Sequence, residues 1–598
     1  MIAKAREHLK KYFGYEQFRK GQEQLIAAIL DQRDALGVMP TGAGKSVCYQ
    51  IPASILHGVT LVISPLISLM KDQVDTLNQI GIPTTLINSS LSAEEVDQRF
   101  KEIREGHYKV LYIAPERLDS GRFIHMLKQI HVPLIAVDEA HCISQWGHDF
   151  RPSYLHISKL VQSIEPRPVI AAFTATATDK VKDDIVRCLG LLGPERVTTG
   201  YARDNLTFSV YKGIDKRKFI SDYVKHRQEE SGIIYASTRK EVDDCHRYLT
   251  RLGIKAGKYH AGLSDTERME SQEQFLYDDI RVMVATNAFG MGIDKSNVRY
   301  VIHYNMPRNL EAYYQEAGRA GRDGEPGECI LLYAAQDTAT QKYLIEMSDA
   351  DTERKTQEYN TLNTMVEYCH TPDCLQKYIV RYFGQEEFEP CGKCSSCTDE
   401  RDLSDITIEA QKIFSCVFKM NQRFGVTLTA KVLKGSQDKK VKQFGFDRIS
   451  TYGVMKEYTE KEIVQMIQVL TAEGYLKMSD SQYPVISLTT KVKPVLSEQE
   501  KVYQRLMKTP TDAPSYISSW SQALFEELRL LRKSIAEQEK TPPFTIFHDA
   551  TLREMSEMAP TSEHAFMEIK GVGERKFQKY GRSFLYCIQQ FLDEHEPE

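Results

Sequence analysis

Residues 134–141 read Leu-Ile-Ala-Val-Asp-Glu-Ala-His, and this stretch decides the fold. Four apolar residues of strand length run directly into two carboxylates, Asp138 and Glu139. A fully apolar strand is typical of a parallel sheet covered by helices on both faces, and such sheets place functional side chains where their strands end. We predict that Asp138 holds Mg²⁺ at a nucleotide site and that Glu139 orients or deprotonates the attacking water. An isolated Asp-Glu pair would instead indicate a solvated loop.

Similar apolar runs alternate with helical stretches up to about residue 335. They form two series, at 61–64, 110–113, 134–137 and 169–173, and at 232–235, 282–285, 300–303 and 329–333. Strands that alternate with helices predict a parallel, doubly wound sheet. Because the two series separate near 200–215, we expect two α/β domains in tandem.

Length and composition limit the function classes. A chain of 598 residues suggests about three to six domains. The net charge of −5 excludes a uniformly basic coat, so any phosphate-binding surface must be a local patch or groove. No apolar run approaches the ~18 residues of a membrane span, and the amino terminus has charges where a signal peptide needs apolar residues. We therefore expect a cytosolic protein that does not enter a membrane.

A glycine-rich stretch precedes the carboxylates. Residues 39–46, the phosphate loop, read Met-Pro-Thr-Gly-Ala-Gly-Lys-Ser. In a P-loop the backbone N–H groups point at phosphate oxygens, Lys45 adds a charge, and Ser46 holds Mg²⁺. The candidate nucleotide contacts are Thr41, Gly42, Gly44, Lys45 and Ser46. The strict pattern has glycine at position 39, so a chance glycine-rich turn is the alternative.

Residues 315–324, the arginine turn, read Gln-Glu-Ala-Gly-Arg-Ala-Gly-Arg-Asp-Gly. Arg319 and Arg322 lie three residues apart among glycines, in the second predicted domain. They are placed to reach a γ-phosphate from that domain and to stabilise charge in the transition state. The alternative is a surface turn with salt bridges.

Four cysteines form a metal-binding pattern. Cys374 is followed by Cys391, Cys394 and Cys397, so the last three have CxxC spacing. Four thiolates satisfy a closed tetrahedral zinc site with no open position for catalysis. We therefore predict a structural Zn²⁺ that stabilises folding, in contrast to reduced free cysteines.

These elements occur in a recognisable order together with further motifs. The chain resembles a superfamily-two helicase and, more narrowly, a bacterial-type RecQ family DNA helicase. The resemblance extends over nearly the whole chain. The matching elements are 13–22, 39–46, 64–73, 114–117, 138–141, 173–177, 235–239, 285–294 and 315–324.

The resemblance implies five parts: two tandem RecA-like domains, a small zinc-binding helical domain, a winged-helix (RQC) domain and a carboxy-terminal helical (HRDC) bundle. The boundaries we expect are 1–205, 206–338, 339–402, 403–510 and 511–598. The composition of residues 497–515, which include Pro510 and Pro514, indicates a linker between the last two domains.

The resemblance also implies the activity, an ATP-dependent 3′-to-5′ DNA helicase in recombination, repair and replication-fork maintenance. ATP, Mg²⁺ and Zn²⁺ are its expected ligands. ATP lies between the two α/β domains, with Gln22 and Arg19 on the adenine edge and Tyr15 stacked on its ring. The segment 174–176 links the nucleotide state to domain movement.

Residues 144–152, the aromatic loop, follow the carboxylates directly and read Ser-Gln-Trp-Gly-His-Asp-Phe-Arg-Pro. The segment resembles the loop that couples DNA binding to hydrolysis in this family. Its DNA-contact candidates are Trp146, His148, Phe150 and Arg151, since aromatic rings can stack on unpaired bases. The alternative is that Trp146 only pins the loop to its domain.

The carboxy-terminal modules offer weaker signals. A lysine run in the winged helix suits duplex phosphates but equally fits a solvated loop; its members are Lys431, Lys434, Lys439, Lys440 and Lys442. Tyr483 is a candidate for the wing. In the last domain, Lys570 opens the turn 570–576 and Phe544 offers a stacking platform, although a purely structural domain would look similar.

Partners and alternatives complete the sequence-based interpretation. We expect single-stranded and duplex or branched DNA as ligands, a single-stranded-DNA-binding protein as a candidate partner, a monomer, and a nucleoid-associated location. One alternative is an RNA helicase. The other is an ATP-gated DNA-binding or annealing protein, which the full set of Lys45, Asp138, Glu139 and Arg322 argues against.

Overall fold

The computed structural model describes residues 1–598 except 89–90, 148, 291–294, 349, 400–402, 480–484, 506–521 and 596–598. Two parallel sheets organise the first half of the chain, and smaller units follow. The predicted fold class, two doubly wound α/β domains followed by smaller units, is confirmed.

The first domain is built on a seven-stranded parallel sheet in the order β3-β4-β2-β5-β6-β1-β7. Its elements are α1 (Ile2–His8), α2 (Gln22–Leu30), β1 (Ala35–Val38), α3 (Val47–Ile55), β2 (Thr60–Ile63), α4 (Ile67–Ile80), β3 (Thr84–Ile87), α5 (Ala93–Arg104), β4 (Val110–Ile113), α6 (Gly121–Leu127), β5 (Leu134–Val137), α7 (His156–Ser163), β6 (Val169–Thr174), α8 (Asp179–Leu189) and β7 (Glu195–Thr198).

The second domain has a six-stranded parallel sheet, β10-β11-β9-β12-β13-β8. Its elements are β8 (Leu206–Lys212), α9 (Lys216–His226), β9 (Ser231–Tyr235), α10 (Arg239–Arg251), β10 (Ala256–Tyr259), α11 (Asp265–Leu276), β11 (Val282–Ala285), β12 (Val298–His303), α12 (Leu310–Ala317) and β13 (Gly327–Tyr333).

Strand β5 shows why the sequence folds this way. Successive side chains on a strand point to opposite faces. Ile135 and Val137 accordingly join the core on one face of the first sheet, while Leu134 and Ala136 join the core on the other. Because both faces of the sheet are buried, the strand must be an uninterrupted apolar run. It places Asp138 at its carboxyl end.

All eight predicted strands are confirmed, but sequence analysis missed five strands of the two sheets. Four of these five, β3, β7, β8 and β10, are the edge strands of their sheets. Edge strands are less enclosed and carry more polar residues, so their apolar signal is weak.

The zinc region follows the second sheet and continues its edge. Its helices are α13 (Ala335–Glu346), α14 (Thr352–His370) and α15 (Leu375–Tyr382). The Ser395 amide donates to the Phe208 carbonyl at 3.0 Å, and the Val210 amide donates to Ser395 Oγ at 3.1 Å. The region is therefore attached directly to edge strand β8.

The winged-helix unit has its own apolar core. Its elements are β14 (Leu403–Asp405), α16 (Thr407–Lys419), α17 (Val426–Lys434), α18 (Lys439–Gln443), α19 (Glu460–Ala472), β15 (Leu476–Met478), β16 (Ile486–Leu488), α20 (Val492–Leu496) and β17 (Tyr503–Arg505). The predicted hairpin is confirmed, since β15 pairs antiparallel with β16. The linker prediction is wrong for its first part, because β17 pairs with β14 and closes the unit.

The last unit is a helical bundle with a separate core. Its helices are α21 (Gln522–Glu539), α22 (Pro543–Ile546), α23 (Asp549–Met558), α24 (Glu563–Met567), α25 (Glu574–Lys576) and α26 (Arg582–His595). It docks on the second α/β domain, where the Tyr277 hydroxyl donates to the Lys540 carbonyl at 2.8 Å and Arg529 pairs with Glu229 at 3.1 Å. Among the described residues, no helix is both long and apolar enough to cross a membrane.

Close packing at the centre of the second sheet gives a stability prediction. A Cβ on Gly232 of β9 would lie 1.9 Å from the Tyr300 ring, so alanine there forces a shift in the sheet. We expect Gly232→Ala to lower the free energy of unfolding by about 1–3 kcal/mol. Gly121→Ala is the control, because a Cβ there meets no atom within 4 Å and the change should stay within about 0.5 kcal/mol. Equal denaturation midpoints for both variants would contradict the packing argument.

Candidate functional site

The phosphate loop joins the end of β1 to the start of α3. The Met39 amide donates to the Thr174 carbonyl at 3.0 Å, so the loop begins as a continuation of the sheet. Gly42 and Gly44 have φ of +83° and +80°, a conformation that favours glycine. Met39 occupies the place of the missing glycine and is buried in the core, so the departure from the strict pattern leaves the loop intact.

Lys45 lies enclosed between this loop and the carboxylates. Its ammonium donates to the Met39 carbonyl at 3.3 Å. Burial lowers the pKa of Lys45, and the neighbouring charges of Glu139 and Asp138 oppose that shift. The structure thus brings together the lysine and both carboxylates that the sequence singled out.

Asp138 and Glu139 stand at the end of β5. Burial, and then repulsion from Glu139, raise the pKa of Asp138 to about 6. The Glu139 amide donates to Asp138 Oδ1 at 3.0 Å. Glu139 itself has φ +46°, a left-handed conformation that costs a non-glycine residue energy and is typical of functional sites. The sequence carried no signal of this strain.

His141 connects the carboxylates to the next strand. Its Nδ1 is 2.8 Å from Thr174 Oγ1 and 3.2 Å from Glu139 Oε2. Although burial opposes the shift, Cys142 and Glu139 raise the pKa of His141 well above its usual value. The Thr176 amide donates to Thr174 Oγ1 at 3.2 Å, so the segment predicted to sense the nucleotide state is tied to the carboxylates through His141.

The arginine turn of the second domain touches the phosphate loop. A Cβ on Gly42 would lie 3.2 Å from the Arg322 Cα. Arg319 is 5 % exposed, forms a hydrogen bond with the Tyr235 phenol, and has its pKa lowered by burial. Lys45 and Arg322 are close enough for their charges to repel. The structure therefore brings both predicted arginines to the nucleotide cleft.

Arg203, which sequence analysis missed, bridges the two domains at this cleft. Its guanidinium donates to the Thr41 carbonyl of the phosphate loop and, at 2.9 Å, to the Gly321 carbonyl of the arginine turn. The side chain is 9 % exposed, and burial lowers its pKa. Sequence analysis treated residues 200–215 only as the boundary between the two domains. The signal available in the sequence was an arginine in that boundary segment.

The three predicted adenine contacts lie on the first domain beside the phosphate loop. Gln22 Nε2 donates to the Gly44 carbonyl at 3.0 Å, and Arg19 Nη1 donates to the Gly42 carbonyl at 2.6 Å. Tyr15 is half-buried and packs against a small apolar core that includes Ile26. The amide and the guanidinium therefore meet the loop, while the ring lies beside them.

The donor set fits a nucleotide with its Mg²⁺. The left-handed glycines 42 and 44 form a backbone cradle, and Lys45, Arg203 and Arg322 supply positive charge close together beside it. Ser46 hydrogen-bonds Tyr49, whose phenol also feels the charge of Asp138, so a hydroxyl and a carboxylate oxygen lie in one neighbourhood. Hydroxyl and carboxylate oxygens are the ligands that Mg²⁺ prefers.

The four cysteines converge as predicted. The Sγ atoms of Cys374, Cys391, Cys394 and Cys397 all lie within 4.8 Å of one another. Cys374 and Cys394 Sγ are 3.9 Å apart, near the edge of about 3.8 Å expected for a tetrahedron with Zn–S bonds of ~2.3 Å. Backbone amides donate to these sulfurs, as from Leu375 to Cys394 Sγ at 3.4 Å. The geometry fits Zn²⁺.

The aromatic loop lies between the first domain and α14. Trp146 is partly buried against the core, and the Lys180 ammonium lies 2.8 Å from its ring centroid. Arg151 Nε pairs with Asp149 at 3.1 Å, and its Nη1 donates to the Pro65 carbonyl at 3.3 Å. Phe150 is half-buried. His148 and the wing candidate Tyr483 lie outside the described residues.

The carboxy-terminal candidates are placed differently from expectation. Phe544 is 9 % exposed and packs in a core, so its ring does not face solvent here, and the stacking role stays a prediction. Lys570 is exposed, but the turn after it packs on the first domain: a Cβ on Gly14 would lie 2.7 Å from the Gly573 nitrogen. The turn therefore packs against the first domain at Gly573.

The winged-helix lysines are divided by the structure. Lys439, Lys440 and Lys442 are exposed on α18, whereas Lys431 pairs with Asp438 at 2.7 Å. The exposed members leave a compact basic surface on one short helix.

Comparison with protein families finds matches along the chain. A DEAD/DEAH box helicase domain matches residues 19–184, and a helicase conserved C-terminal domain matches 215–324. A RecQ zinc-binding region matches 335–398, an RQC domain 400–513 and an HRDC domain 521–588.

Whole-chain relatives agree with these matches. The chain is 49% identical over 592 residues to the ATP-dependent DNA helicase RecQ of Bacillus subtilis (strain 168), covering 99% of each chain. It is 39% identical to the protein of the same description from Pasteurella multocida (strain Pm70), covering 98% of this chain and 94% of that one. A third such protein, from Haemophilus influenzae, is 38% identical over 97% of this chain and 95% of its own.

The cysteine cluster yields a metal-removal prediction. We expect Cys391→Ser to lower the zinc content from about one ion per chain and to lower the melting temperature by several degrees, because zinc binding and folding are coupled. Cys188→Ser, at a half-buried cysteine outside the cluster, should change neither quantity. Metal analysis together with thermal unfolding measures both. Full zinc content in Cys391→Ser would refute the four-thiolate assignment.

Proposed function

The chain belongs to the RecQ family of ATP-dependent DNA helicases, and we propose that it moves 3′-to-5′ on single-stranded DNA and unwinds duplex or branched DNA. The observation that carries the mechanism is the contact between the phosphate loop and the arginine turn, bridged by Arg203. A nucleotide bound there would touch both α/β domains at once, so its hydrolysis would change how they meet.

We assign the phosphate-binding roles to the first domain. Lys45 would neutralise the β- and γ-phosphates, while the loop amides around Gly42 and Gly44 would donate hydrogen bonds to the phosphate oxygens. Ser46 and Asp138 would hold the Mg²⁺ that accompanies ATP, which supplies further charge neutralisation. The raised pKa of Asp138 supports this role, because a cation would relieve the repulsion between the two carboxylates.

Glu139 would orient or deprotonate the attacking water, and the arginines would stabilise the charge that develops on the transferred phosphoryl group. Arg319 and Arg322 belong to the opposite domain, so this stabilisation depends on domain closure. Gln22 would pair with the adenine edge, Tyr15 would stack on its ring, and Arg19 would assist. Their position beside the phosphate loop supports these assignments.

Single-stranded DNA would cross the tops of both domains. Its phosphates would meet the elements 64–73, 114–117 and 285–294, contacts that carry little sequence information and therefore suit a motor. Trp146, Phe150, Arg151 and the unplaced His148 would contact DNA from the aromatic loop. The bond from His141 to Thr174 supports a route from this loop to the nucleotide.

We extend the proposal to the cellular setting. DNA binding by the helicase and HRDC domains supports work in recombination, repair and fork maintenance. We further propose a monomer in the bacterial cytoplasm, associated with the nucleoid, that meets a single-stranded-DNA-binding protein. The division into 1–205, 206–338, 339–402, 403–510 and 511–598 remains our proposal, supported by the order of the family matches.

The first experiment measures ATP-dependent strand displacement on a duplex with a 3′ tail and on the same duplex with a 5′ tail. We expect unwinding from the 3′ tail only, since the motor would enter on that strand. Displacement from the 5′ tail alone would reverse the polarity. DNA-stimulated ATPase without displacement on either substrate would favour the binding or annealing protein.

The phosphate site is tested by Lys45→Ala. We expect ATP hydrolysis to fall at least about 100-fold while single-stranded DNA binding stays within about twofold, because the lost charge faces phosphate and not DNA. Lys128→Ala removes an exposed lysine from the same domain and should leave both quantities unchanged. Steady-state ATPase and fluorescence anisotropy give the readouts; hydrolysis retained in Lys45→Ala would refute the assignment.

A further inference from the structure

Helix α14 of the zinc region holds the aromatic loop by three consecutive backbone carbonyls. Arg354 Nη1 donates to the Gln145 carbonyl, and its Nη2 donates to the Gly147 carbonyl at 3.2 Å. Gln357 Nε2 donates to the carbonyl between them, that of Trp146, at 3.2 Å. Two side chains one helical turn apart can bind these three carbonyls only if the loop backbone has this shape. Neither Arg354 nor Gln357 has a role in the reaction assigned above.

In this docked position two of the loop's candidate DNA-binding groups, Trp146 and Arg151, contact other parts of the protein. The Lys180 ammonium lies over the Trp146 ring, and Arg151 is paired with Asp149 and with the Pro65 carbonyl. A base cannot stack on the ring face that Lys180 covers. Lys180 belongs to α8 of the first domain, so stacking on that face requires Trp146 to separate from Lys180, which release of the loop from α14 would allow.

The space beside the ring shows where the loop is held. Trp146 lines an open cleft of about 450 Å³ whose other walls come from the first domain, from α12 and from α14. Thr178, Glu311 and Thr356 represent these three walls. A change in the angle between the domains would alter this cleft, so the docked loop is exposed to the same movement that ATP drives.

The loop is also tied to the carboxylates. The Arg151 amide donates to the Cys142 carbonyl at 2.9 Å, and a Cβ on Gly147 would lie 2.5 Å from the His141 carbonyl oxygen. His141 in turn contacts Glu139 at 3.2 Å. A displacement of residues 145–147 cannot leave the backbone of His141 unaffected.

We propose that Arg354 and Gln357 are positioning residues that hold the aromatic loop in its docked state and thereby set the DNA concentration at which hydrolysis is switched on. The inference rests on the proposed function, in which DNA engages this loop. Single-stranded DNA would have to break the three hydrogen bonds to capture the loop. Removing them shifts the population toward the released loop with or without DNA.

The test compares Arg354→Ala and Gln357→Ala with the wild-type chain. For Arg354→Ala we expect the DNA-free ATPase rate to rise about five- to tenfold, and the single-stranded DNA concentration for half-maximal stimulation to fall by about the same factor. The rate at saturating DNA should stay within about twofold. Gln357→Ala, which loses one of the three bonds, should move both quantities in the same direction by less.

Two variants separate this role from charge and from helix stability. Lys355→Ala removes a cation from the same turn of α14, but that ammonium donates to the Glu346 carbonyl, so it should behave as wild type. Arg354→Lys keeps the charge beside Glu358 and loses the planar fork that spans two carbonyls, so it should behave like Arg354→Ala.

Loop position is read directly from tryptophan fluorescence. The chain has two tryptophans, so a Trp520→Phe background leaves Trp146 as the reporter. We expect Arg354→Ala without DNA to shift the emission toward that of the wild-type chain with saturating oligonucleotide. The proposal is overturned if emission, DNA-free rate and half-saturation all match wild type, if Arg354→Lys restores wild-type behaviour, or if the saturated rate collapses. Failure of the proposed function would show differently, as no DNA stimulation in the wild-type chain.

Discussion

The bridge made by the Arg203 guanidinium is the interaction on which the nucleotide cleft depends. It joins the Thr41 carbonyl on one α/β domain to the Gly321 carbonyl on the other, and it brings Arg322 against Gly42. Burial lowers the pKa of Arg203, as it does for Lys45 and Arg319. Several desolvated cations facing one cleft are costly unless an anion joins them, which is consistent with the polyphosphate ligand that we propose.

The carboxylates give this positive cleft its chemistry and its connection to the rest of the molecule. Asp138 and Glu139 repel each other, Glu139 has a left-handed backbone, and His141 joins them to Thr174. Because strain and repulsion are concentrated at one strand end, a small change in charge there can affect both β5 and β6. The aromatic loop begins at the same place, so the nucleotide chemistry and the DNA contact that we propose would share one short segment of backbone.

Two of the smaller units, the zinc region and the terminal bundle, contact the α/β domains. The zinc region is attached to the second sheet through Ser395 and reaches the aromatic loop through Arg354, so it links the second domain to the first. The terminal bundle packs its turn at Gly573 against Gly14 and buries Phe544. A proline-flanked aromatic and a Gly-Val-Gly turn, which suggested DNA contacts in the sequence, instead form contacts between units.

The sequence by itself determined eight of the nine central strands, the phosphate loop, the carboxylates, the arginine turn and the zinc ligands, because each has a local pattern that chemistry requires. Edge strands such as β7 and β10 were missed because their partial exposure removes the apolar run. Arg203, the left-handed Glu139 and the grip of Arg354 on the aromatic loop were decided only by the tertiary structure. Each depends on backbone atoms that are distant in sequence. A hydrogen bond to a backbone carbonyl cannot be predicted from sequence, because every residue type carries that carbonyl.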